Sequence, residues 1–265
     1  MLSGQFKKIP MMYKYALAAF TIIALSAIAV FPKTETIAHF VVVLLTAIIA
    51  DLVLRKVRKK NFVLPYSAYI SGIILSILMP FETTLATKIA VPLIAIALKH
   101  AVRFQGRHIF NPASSGIVAA SLIPGMAVAA TWWGTIAWPL VAVVGLLLMY
   151  KIGYLRTGLS FYLSFAIIQL AYNATIGVDA VSTVNNFLLS GSLLFFGFFM
   201  VIEPNTSPFT HKGQILFGTA TAVLAFASQF FVPQWFPLIG LLIMNIFTRE
   251  INKRTFESTQ AKFTG

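Results

Sequence analysis

Two short stretches of this chain combine prolines with polar side chains of types that suit the binding of a polar or anionic group. The first covers residues 106–115 and reads GRHIFNPASS. Asn is a strong N-cap residue and Pro is favoured at the first helical position, so a helix is predicted to begin at Pro112. A helix N-terminus offers free N–H groups and partial positive charge, which suit an anion such as phosphate. The candidate binding residues here are Arg107, His108, Asn111, Ser114 and Ser115.

The second stretch covers residues 203–213 and reads EPNTSPFTHKG. Its two prolines, four residues apart, disfavour a continuous helix. An ionisable group at the end of a membrane span, here Glu203, is a candidate for function. The candidate binding residues are Glu203, Asn205, Thr206, Ser207, Thr210 and Lys212. Both stretches keep a simpler alternative: a capped helix with interfacial cations, and a Glu203 carboxylate paired with Lys212 or Arg107.

The composition indicates a membrane protein that consists of helices. Of the 265 residues, 58% are hydrophobic and only 10% are charged, a balance that a soluble globular protein does not have. Apolar runs of the length that crosses a bilayer recur along the chain. We predict an all-α polytopic membrane protein of about ten transmembrane helices, formed by residues 15–31, 37–54, 63–80, 85–100, 112–129, 135–150, 158–175, 184–202, 213–231 and 235–248.

The basic residues fix the predicted orientation. If the N-terminus is cytoplasmic, 18 of the 20 Lys and Arg residues fall on the cytoplasmic side, and only Lys33 and Lys88 fall outside. Residues 1–14 and the tail 249–265 are then cytoplasmic, and the protein is a multi-pass protein of the cell inner membrane. Because these charges occupy short loops between apolar runs, the net charge of +13 indicates membrane topology and excludes nucleic acid as a partner.

The predicted helices form a single integral membrane domain over residues 1–265 with two related halves, 15–130 and 135–248. In each half a Ser-Gly pair opens an apolar run that ends at a proline, and another proline follows 32 or 33 residues later. These prolines are Pro80 and Pro112 in the first half, and Pro204 and Pro237 in the second. Five crossings per half make this an inverted repeat with broken helices, a common membrane architecture. The alternative is that proline simply marks the ends of spans.

The remaining residues of possible functional interest give weaker indications than the two polar stretches. The chain has no cysteine, which excludes disulfides and a cysteine-ligated iron–sulfur cluster within it. Asp51 precedes Arg55 by four residues, which predicts an ordinary ion pair on one helix face. His39 and His100 stand near the ends of predicted spans, where we expect them at the membrane interface, and no ligand spacing supports a metal site.

At the two polar stretches the chain resembles the NqrB and RnfD family, membrane subunits of sodium-pumping NADH:quinone reductases and of Rnf electron-transport complexes. Residues 106–113 (GRHIFNPA) are similar to the family's Gly-Arg-His-hydrophobic-Phe-Asn-Pro-Ala signature. Residues 203–208, with Thr210 and Lys212, are similar to its Asp-Pro-Val-Thr-Ser-Pro block, with Glu203 for Asp and Asn205 for Val. Residues 239–245 (IGLLIMN) resemble its closing helix, so the likeness covers residues 60 to 250 approximately.

The resemblance implies a ten-helix inverted-repeat fold and flavin-linked electron transfer coupled to ion movement. It also implies FMN joined through its phosphate to a Thr in a Ser-Gly-Ala-Thr stretch between the two motifs. The chain has no such stretch, and that interval offers only Thr131, Thr135, Thr157, Thr175 and Thr183. Two alternatives therefore remain: FMN or riboflavin held without a covalent bond, or a scaffold without flavin.

The leading hypothesis is a membrane redox subunit in which the helix end at Asn111 and the loop 203–210 contact a flavin. Its partners are then the lipid bilayer and either other membrane subunits or further copies of the chain. Oxidation of NADH within the chain is not expected, because no strand, Gly-rich loop and helix unit is present. The alternative is a small-solute transporter or channel on the same fold without a redox cofactor, because fold alone does not decide function.

Overall fold

In a computed structural model, the structure describes residues 9–60, 62–126, 128, 130–132 and 135–264, with side chains as far as Phe256. The predicted cytoplasmic cations Lys7 and Lys8, and the side chain of Lys262, lie outside this description. The chain divides into two compact units. The first runs to Arg103 and includes Pro112–Leu140, and the second contains Phe104–Asn111 and the chain from Val141 onward. The prediction of a single domain with two halves stays a prediction.

The described part of the first unit contains five helices. They are α1 (Met11–Val30), α2 (Thr34–Val57), α3 (Tyr66–Leu78), α4 (Leu85–Ala101) and α5 (Pro112–Ser121). Helix α2 packs on α3 and α4, and α4 packs on α5. Small residues permit these close approaches, since a Cβ added to Gly116 of α5 would lie 2.9 Å from the Cα of Ala95 in α4. The helix predicted at Pro112 begins there, and it ends at Ser121, before the Pro124-Gly125 pair.

The helices of the second unit begin with α6 (Trp138–Ile152), which straddles the boundary, and α7 (Leu155–Thr175). Next come α8 (Ala180–Leu188) and α9 (Gly191–Met200), which form a pair bent by 59° at the break between them. Each helix of this pair ends in a π-helical turn. The last helices are α10 (His211–Ser228) and α11 (Phe236–Thr264). Helix α10 packs on both α7 and α11.

A short hairpin precedes α5. Its strands are β1 (Arg103–Phe104) and β2 (Arg107–His108). The two turn residues, Gln105 and Gly106, have φ angles of +48° and +82°, and positive φ at both central positions is the mark of the type I′ hairpin turn. The sequence did not predict this hairpin. It sets the direction in which residues 107–111 leave the turn.

The structure is therefore mostly helical, and each of the ten predicted segments contains a helix or, for residues 184–202, parts of a bent pair. In the described part of the chain, two helices are long and apolar enough to cross a membrane, Met11–Val30 and Thr34–Val57. The bent pair makes a third if it counts as one span. These findings fit a helical membrane protein. Ten crossings, the repeat and the positions of the termini stay predictions.

Candidate functional site

The second polar stretch forms a compact turn between α9 and α10. The backbone N–H groups of Thr206 and Ser207 both donate to the carbonyl oxygen of Glu203, each at 3.0 Å. The Ser207 hydroxyl donates to the carbonyl oxygen of Val201 at 2.5 Å. At the far end, the Thr210 hydroxyl accepts from the backbone N–H of Gly213 at 3.1 Å and so caps α10. The turn thereby satisfies its own polar groups and holds Glu203 in one position.

The Glu203 carboxylate joins the two polar stretches. Its Oε1 lies 2.9 Å from His108 Nε2, and its Oε2 accepts from Asn111 Nδ2 at 2.9 Å. The Thr206 hydroxyl also donates to Oε2, at 3.3 Å. His108, Asn111 and Thr206 are each at most 4% exposed, whereas the Glu203 side chain is 20% exposed. Residues about 95 positions apart in the sequence thus form one buried hydrogen-bond network around a single carboxylate.

Helix α11 holds both stretches through Asn245, which is buried. Its side-chain oxygen accepts from the backbone N–H of Asn111 at 2.9 Å, and its side-chain nitrogen donates to the carbonyl oxygen of Thr206 at 3.1 Å. The Thr248 hydroxyl, one turn further on, donates to the same carbonyl at 2.6 Å. One amide therefore links the backbones of both stretches, so their relative position does not depend on Glu203 alone.

A cavity of about 620 Å³ adjoins this network within the second unit. The hairpin, the turn after Glu203 and one face of α11 form its walls. Arg249 of α11 lies over the ring of Phe104, with its guanidinium carbon 4.2 Å from the ring centroid, a cation–π contact. The lining residues are Phe104, Gln105, Arg107, His108, Ile109, Asn205, Thr206, Ser207, Phe209, Asn245, Ile246, Thr248, Arg249 and Asn252.

The cavity is electropositive and rich in hydrogen-bonding groups. Arg107 and Arg249 are the charged side chains among its lining residues, and the Glu203 carboxylate is not part of the lining. Burial raises the pKa of the nearby Tyr154 phenol, while the positive charge of Arg107 lowers it in part. A group that combines polar edges with negative charge suits these walls, because two guanidinium groups can contact it.

The residues predicted from sequence separate into four groups. Arg107, His108, Asn205, Thr206 and Ser207 line the cavity, while Asn111 and Glu203 form the network beside it. Thr210 and Lys212 belong to the start of α10 and are not lining residues, and Thr210 contacts the Thr255 hydroxyl at 2.5 Å. Ser114 and Ser115 are buried in the first turn of α5, which belongs to the first unit. Glu203 contacts His108, rather than the Lys212 or Arg107 of the simpler alternative.

The sequence contains a signal for lining residues that the prediction missed. Asn245, Thr248, Arg249 and Asn252 are spaced at i, i+3, i+4 and i+7 in α11, which places them on one helix face. Such a polar stripe on a helix that begins as an apolar span is typical of a surface that faces a cavity. The prediction also missed the lining residues Phe104, Gln105, Ile109, Phe209 and Ile246. Nothing in the local pattern of the two phenylalanines sets them apart from the others in the chain.

The structure thus defines a helical membrane protein whose second unit contains a carboxylate-centred network beside an electropositive cavity. A sequence profile of the NQR2, RnfD, RnfE family matches residues 119–260, more than half of the chain. The chain belongs to this family, which confirms the resemblance found at the two motifs. The matched region includes the turn at Glu203 and the polar stripe of α11.

A curated relative supports the same assignment. The chain is similar to one subunit of a proton-translocating ferredoxin:NAD(+) oxidoreductase complex from Clostridium ljungdahlii. The two are 27% identical over 295 aligned positions, which cover 88% of this chain and 87% of the relative. The similarity therefore extends over both units of the structure.

Proposed function

We propose that the chain is the membrane redox subunit of an electron-transport complex, and that it holds a flavin without a covalent bond in the cavity of the second unit. The observation that carries this proposal is the meeting of both motifs at Glu203 beside that cavity. The similarity to a complex subunit supports the redox class. The missing Ser-Gly-Ala-Thr stretch supports a non-covalent site.

The residues present fit a flavin. The cavity volume of about 620 Å³ lies within the usual range for small-molecule sites. Asn205, Ser207 and Asn252 offer both donors and acceptors, which match the pyrimidine edge and the ribityl hydroxyls of FMN or riboflavin. Arg107 and Arg249 match the phosphate of FMN.

When bound, the flavin supplies the electron-transfer chemistry, and the protein supplies orientation and electrostatics. The Asn245 amide fixes the Thr206 backbone against the hairpin, so the polar wall keeps its shape when a ligand enters. Arg107 and Arg249 would hold the negatively charged part of the ligand, which in FMN is the phosphate. The buried Glu203 network holds His108 in place at the cavity wall.

We further propose that the chain crosses the inner membrane ten times, five times in each unit, with both termini in the cytoplasm. Corresponding pairs of helices pack against each other in the two units, which supports an inverted repeat. In each, the second helix packs on the third and fourth, and the fourth packs on the fifth, when α8 and α9 are taken as one broken helix. The chain has no cysteine, so single introduced cysteines at Thr83 and Lys151 provide a clean labelling test. A membrane-impermeant thiol reagent added outside should label the first and not the second.

The similarity to a relative that is one subunit of a larger complex suggests that this chain also has partner subunits. We propose that other membrane subunits pair with this chain, and that electron transfer through the complex is coupled to cation movement. Copurification from a membrane extract that uses a tag on this chain tests the first point. Recovery of the chain alone or only as a homo-oligomer would contradict it.

Flavin content tests the central proposal. The purified protein should show flavin absorption, and after denaturation and filtration the flavin should appear in the filtrate. Flavin fluorescence that stays on the protein band would contradict the non-covalent site. A colourless protein that moves a solute into liposomes would contradict the redox function and support the transporter alternative.

Paired variants locate the site. Arg249→Gln should lower flavin occupancy because it removes a cavity guanidinium, whereas Arg254→Gln changes the same residue type one turn further on, at a side chain that is 77% exposed. Thr206→Ala should also lower occupancy. Equal occupancy in Arg249→Gln and Arg254→Gln would place any bound flavin outside this cavity.

A further inference from the structure

A cluster of basic residues lies at one end of the first unit, and none of its members lines the proposed flavin cavity. Four of its members, Arg55, Arg58, Lys59 and Lys60, stand at the C-terminal end of α2. Arg103, which follows α4, is the fifth. These five residues are named the α2 basic cluster. Its charges come from two separate helix ends, so helix α2 alone does not account for it.

The acidic residue nearest in sequence, Asp51, pairs with one of the five members of this cluster, and both of its oxygens are engaged. Asp51 Oδ2 accepts from Arg55 Nε at 2.6 Å, which confirms the predicted pair, and Oδ1 lies 2.7 Å from His100 Nε2. The Asp51 side chain is 1% exposed. The other carboxylates of the first unit, Glu35 and Glu82, stand at the opposite ends of α2 and α4.

Both histidines that stand near the ends of predicted spans are buried inside the protein. His100 contacts Asp51, and His39 Nε2 lies 3.0 Å from the carbonyl oxygen of Ser76. Their position at the membrane interface stays a prediction. Arg58 donates to the carbonyl oxygen of His100 and is thereby anchored to the end of α4. Asp51, His100 and two arginines thus form a fixed base of the cluster. Lys59 and Lys60 are exposed, whereas Arg103 is half-buried and donates to the carbonyl oxygen of Lys99 at 3.4 Å.

The Arg58 contact with His100 brings the cations at the end of α2 close to the end of α4. The pKa of the Lys60 ammonium is lowered, first by the charge of Arg103, then by a small desolvation effect and by Arg58 and Arg55. Burial chiefly lowers the pKa of Arg103, Arg58 and Arg55 lower it further, and the Asp51 carboxylate raises it in part. A bound anion would relieve this repulsion, so the cluster favours an anionic ligand.

The backbone conformation of Lys59 also suggests a functional position. Lys60 N–H donates to the Arg55 carbonyl and Lys59 N–H donates to the Lys56 carbonyl, each at 3.0 Å, which is the Schellman pattern that ends a helix. The position with left-handed φ in this pattern is usually glycine, but here it is Lys59 with φ +50°. A side chain in this conformation strains the backbone, and strained residues concentrate at functional positions.

The surroundings indicate what kind of anion the cluster contacts. Helix α2 is long and apolar enough to cross a membrane, and the cluster lies at its end. Apolar side chains next to the cluster are exposed: Val57 is 71% exposed, Phe62 62% and Val63 37%. An anion bound at this cluster would lie beside exposed apolar surface. A phospholipid has both a phosphate and apolar chains, so it matches these surroundings better than a soluble acidic protein does.

We propose that the α2 basic cluster binds the headgroup phosphate of an anionic phospholipid, with the apolar side chains of Val57, Phe62 and Val63 against its acyl chains. The bound lipid neutralises Lys60 and Arg103 and ties the end of α2 to the end of α4. This inference does not depend on the flavin site.

The test is a lipid titration of the full-length protein in detergent. Phosphatidylglycerol, phosphatidylcholine with the same chains, and inorganic phosphate are added separately, and bound lipid is counted by native mass spectrometry while unfolding temperature is recorded. Phosphatidylglycerol should bind and stabilise the protein more than the other two. Equal effects of phosphatidylglycerol and phosphatidylcholine, or an equal effect of free phosphate, would overturn the proposal.

Charge variants assign the binding to the cluster. The double change Lys60→Gln with Arg103→Gln should weaken phosphatidylglycerol binding by about fivefold per removed charge. Lys151→Gln with Arg156→Gln removes two exposed cations elsewhere on the predicted cytoplasmic side and should leave the binding unchanged. If the first double variant does not fold, Lys60→Gln alone, at an exposed side chain, gives the same comparison.

Lys59→Gly separates a binding role from a structural one. Glycine relieves the left-handed strain, so the unfolding temperature without lipid should stay the same or rise, while phosphatidylglycerol binding falls. A variant that gains stability and keeps full lipid binding would show that Lys59 contributes no binding. Together with unchanged binding in Lys60→Gln, that result would refute the proposed lipid site.

Discussion

Removal of the Glu203 carboxylate tests whether the network organises the second unit. Glu203→Ala deletes the acceptor shared by His108 Nε2, Asn111 Nδ2 and the Thr206 hydroxyl. Glu203→Gln keeps the shape of the side chain and one oxygen acceptor. The comparison between these two variants therefore separates loss of the hydrogen bonds from loss of the charge.

The expected free-energy changes follow from burial. In Glu203→Ala, the Asn111 amide and the His108 ring lose their partner at sites that are 1% and 4% exposed. A buried donor left without an acceptor costs about 1–3 kcal/mol. Because the Glu203 side chain is 20% exposed, water can reach part of the space, and we expect a total loss of roughly 2–4 kcal/mol.

The glutamine variant should lose less. Its oxygen can accept from Asn111 and Thr206, and its NH₂ can donate to His108 Nε2 in the tautomer that carries the proton on Nδ1. The expected loss of stability in Glu203→Gln is therefore only that of charge-assisted hydrogen bonding, about 1 kcal/mol. The free energy of unfolding should therefore be highest for the wild type, lower for Glu203→Gln and lowest for Glu203→Ala.

Chemical unfolding in detergent micelles, followed by tryptophan fluorescence, measures these differences. A double-mutant cycle of Glu203→Ala with Asn111→Ala should give a coupling free energy of at least about 0.5 kcal/mol, because the two side chains share a hydrogen bond. Glu250→Ala, at an exposed carboxylate of α11, is the matched control and should change the stability little. The reasoning is refuted if Glu203→Ala and Glu203→Gln are equally stable and the cycle shows no coupling.

Two further predictions concern the second unit. Gly218→Ala should destabilise the protein by about 1–3 kcal/mol, because the new Cβ would lie 2.5 Å from the carbonyl oxygen of Thr157. Val223→Ala, at an exposed position of the same helix, is the control. Equal unfolding curves for the two variants would contradict the tight contact of α7 with α10. Hydrogen bonds from Ser182 hold the pKa of Asp179 below its ordinary value of about 3.9, so this carboxylate adds stability at neutral pH that is lost as the pH falls through its lowered pKa. Carbon NMR of labelled aspartate, with Asp179→Asn to assign the signal, measures this pKa, and a midpoint at or above the ordinary value would contradict it.

The local parts of the fold could be predicted from the sequence. Apolar run lengths locate a helix in each predicted segment, the Asn-Pro pair sets the start of α5 at Pro112, and spacing of four residues gives the Asp51–Arg55 pair. Each of these depends on residues within one or two helical turns. The break between α8 and α9 was not predicted, because residues 184–202 were assigned to one span although a Ser-Gly pair lies at the break.

The candidate site could be predicted only in part, because long-range contacts create it. The sequence offered Glu203 and Asn111 as separate candidates, but their hydrogen bond depends on the fold between them. The hairpin was missed because strands of two residues are too short to show an alternating pattern. Arg249 was read only as a cytoplasmic charge, although it lies over Phe104 in the cavity wall.

The hairpin explains how a repeated fold can hold a single site. Residues 104–111 precede α5 in the first half of the sequence, yet they belong to the second unit, where they supply His108 and Asn111 to Glu203. Under the proposed repeat, Met79-Pro80 occupies the position of Glu203-Pro204, and Met79 is a fully buried apolar side chain. A carboxylate at that position would be buried without these donors and would destabilise the fold. The proposed repeat therefore makes the two units alike in architecture, while the location of the hairpin restricts the carboxylate chemistry to the second.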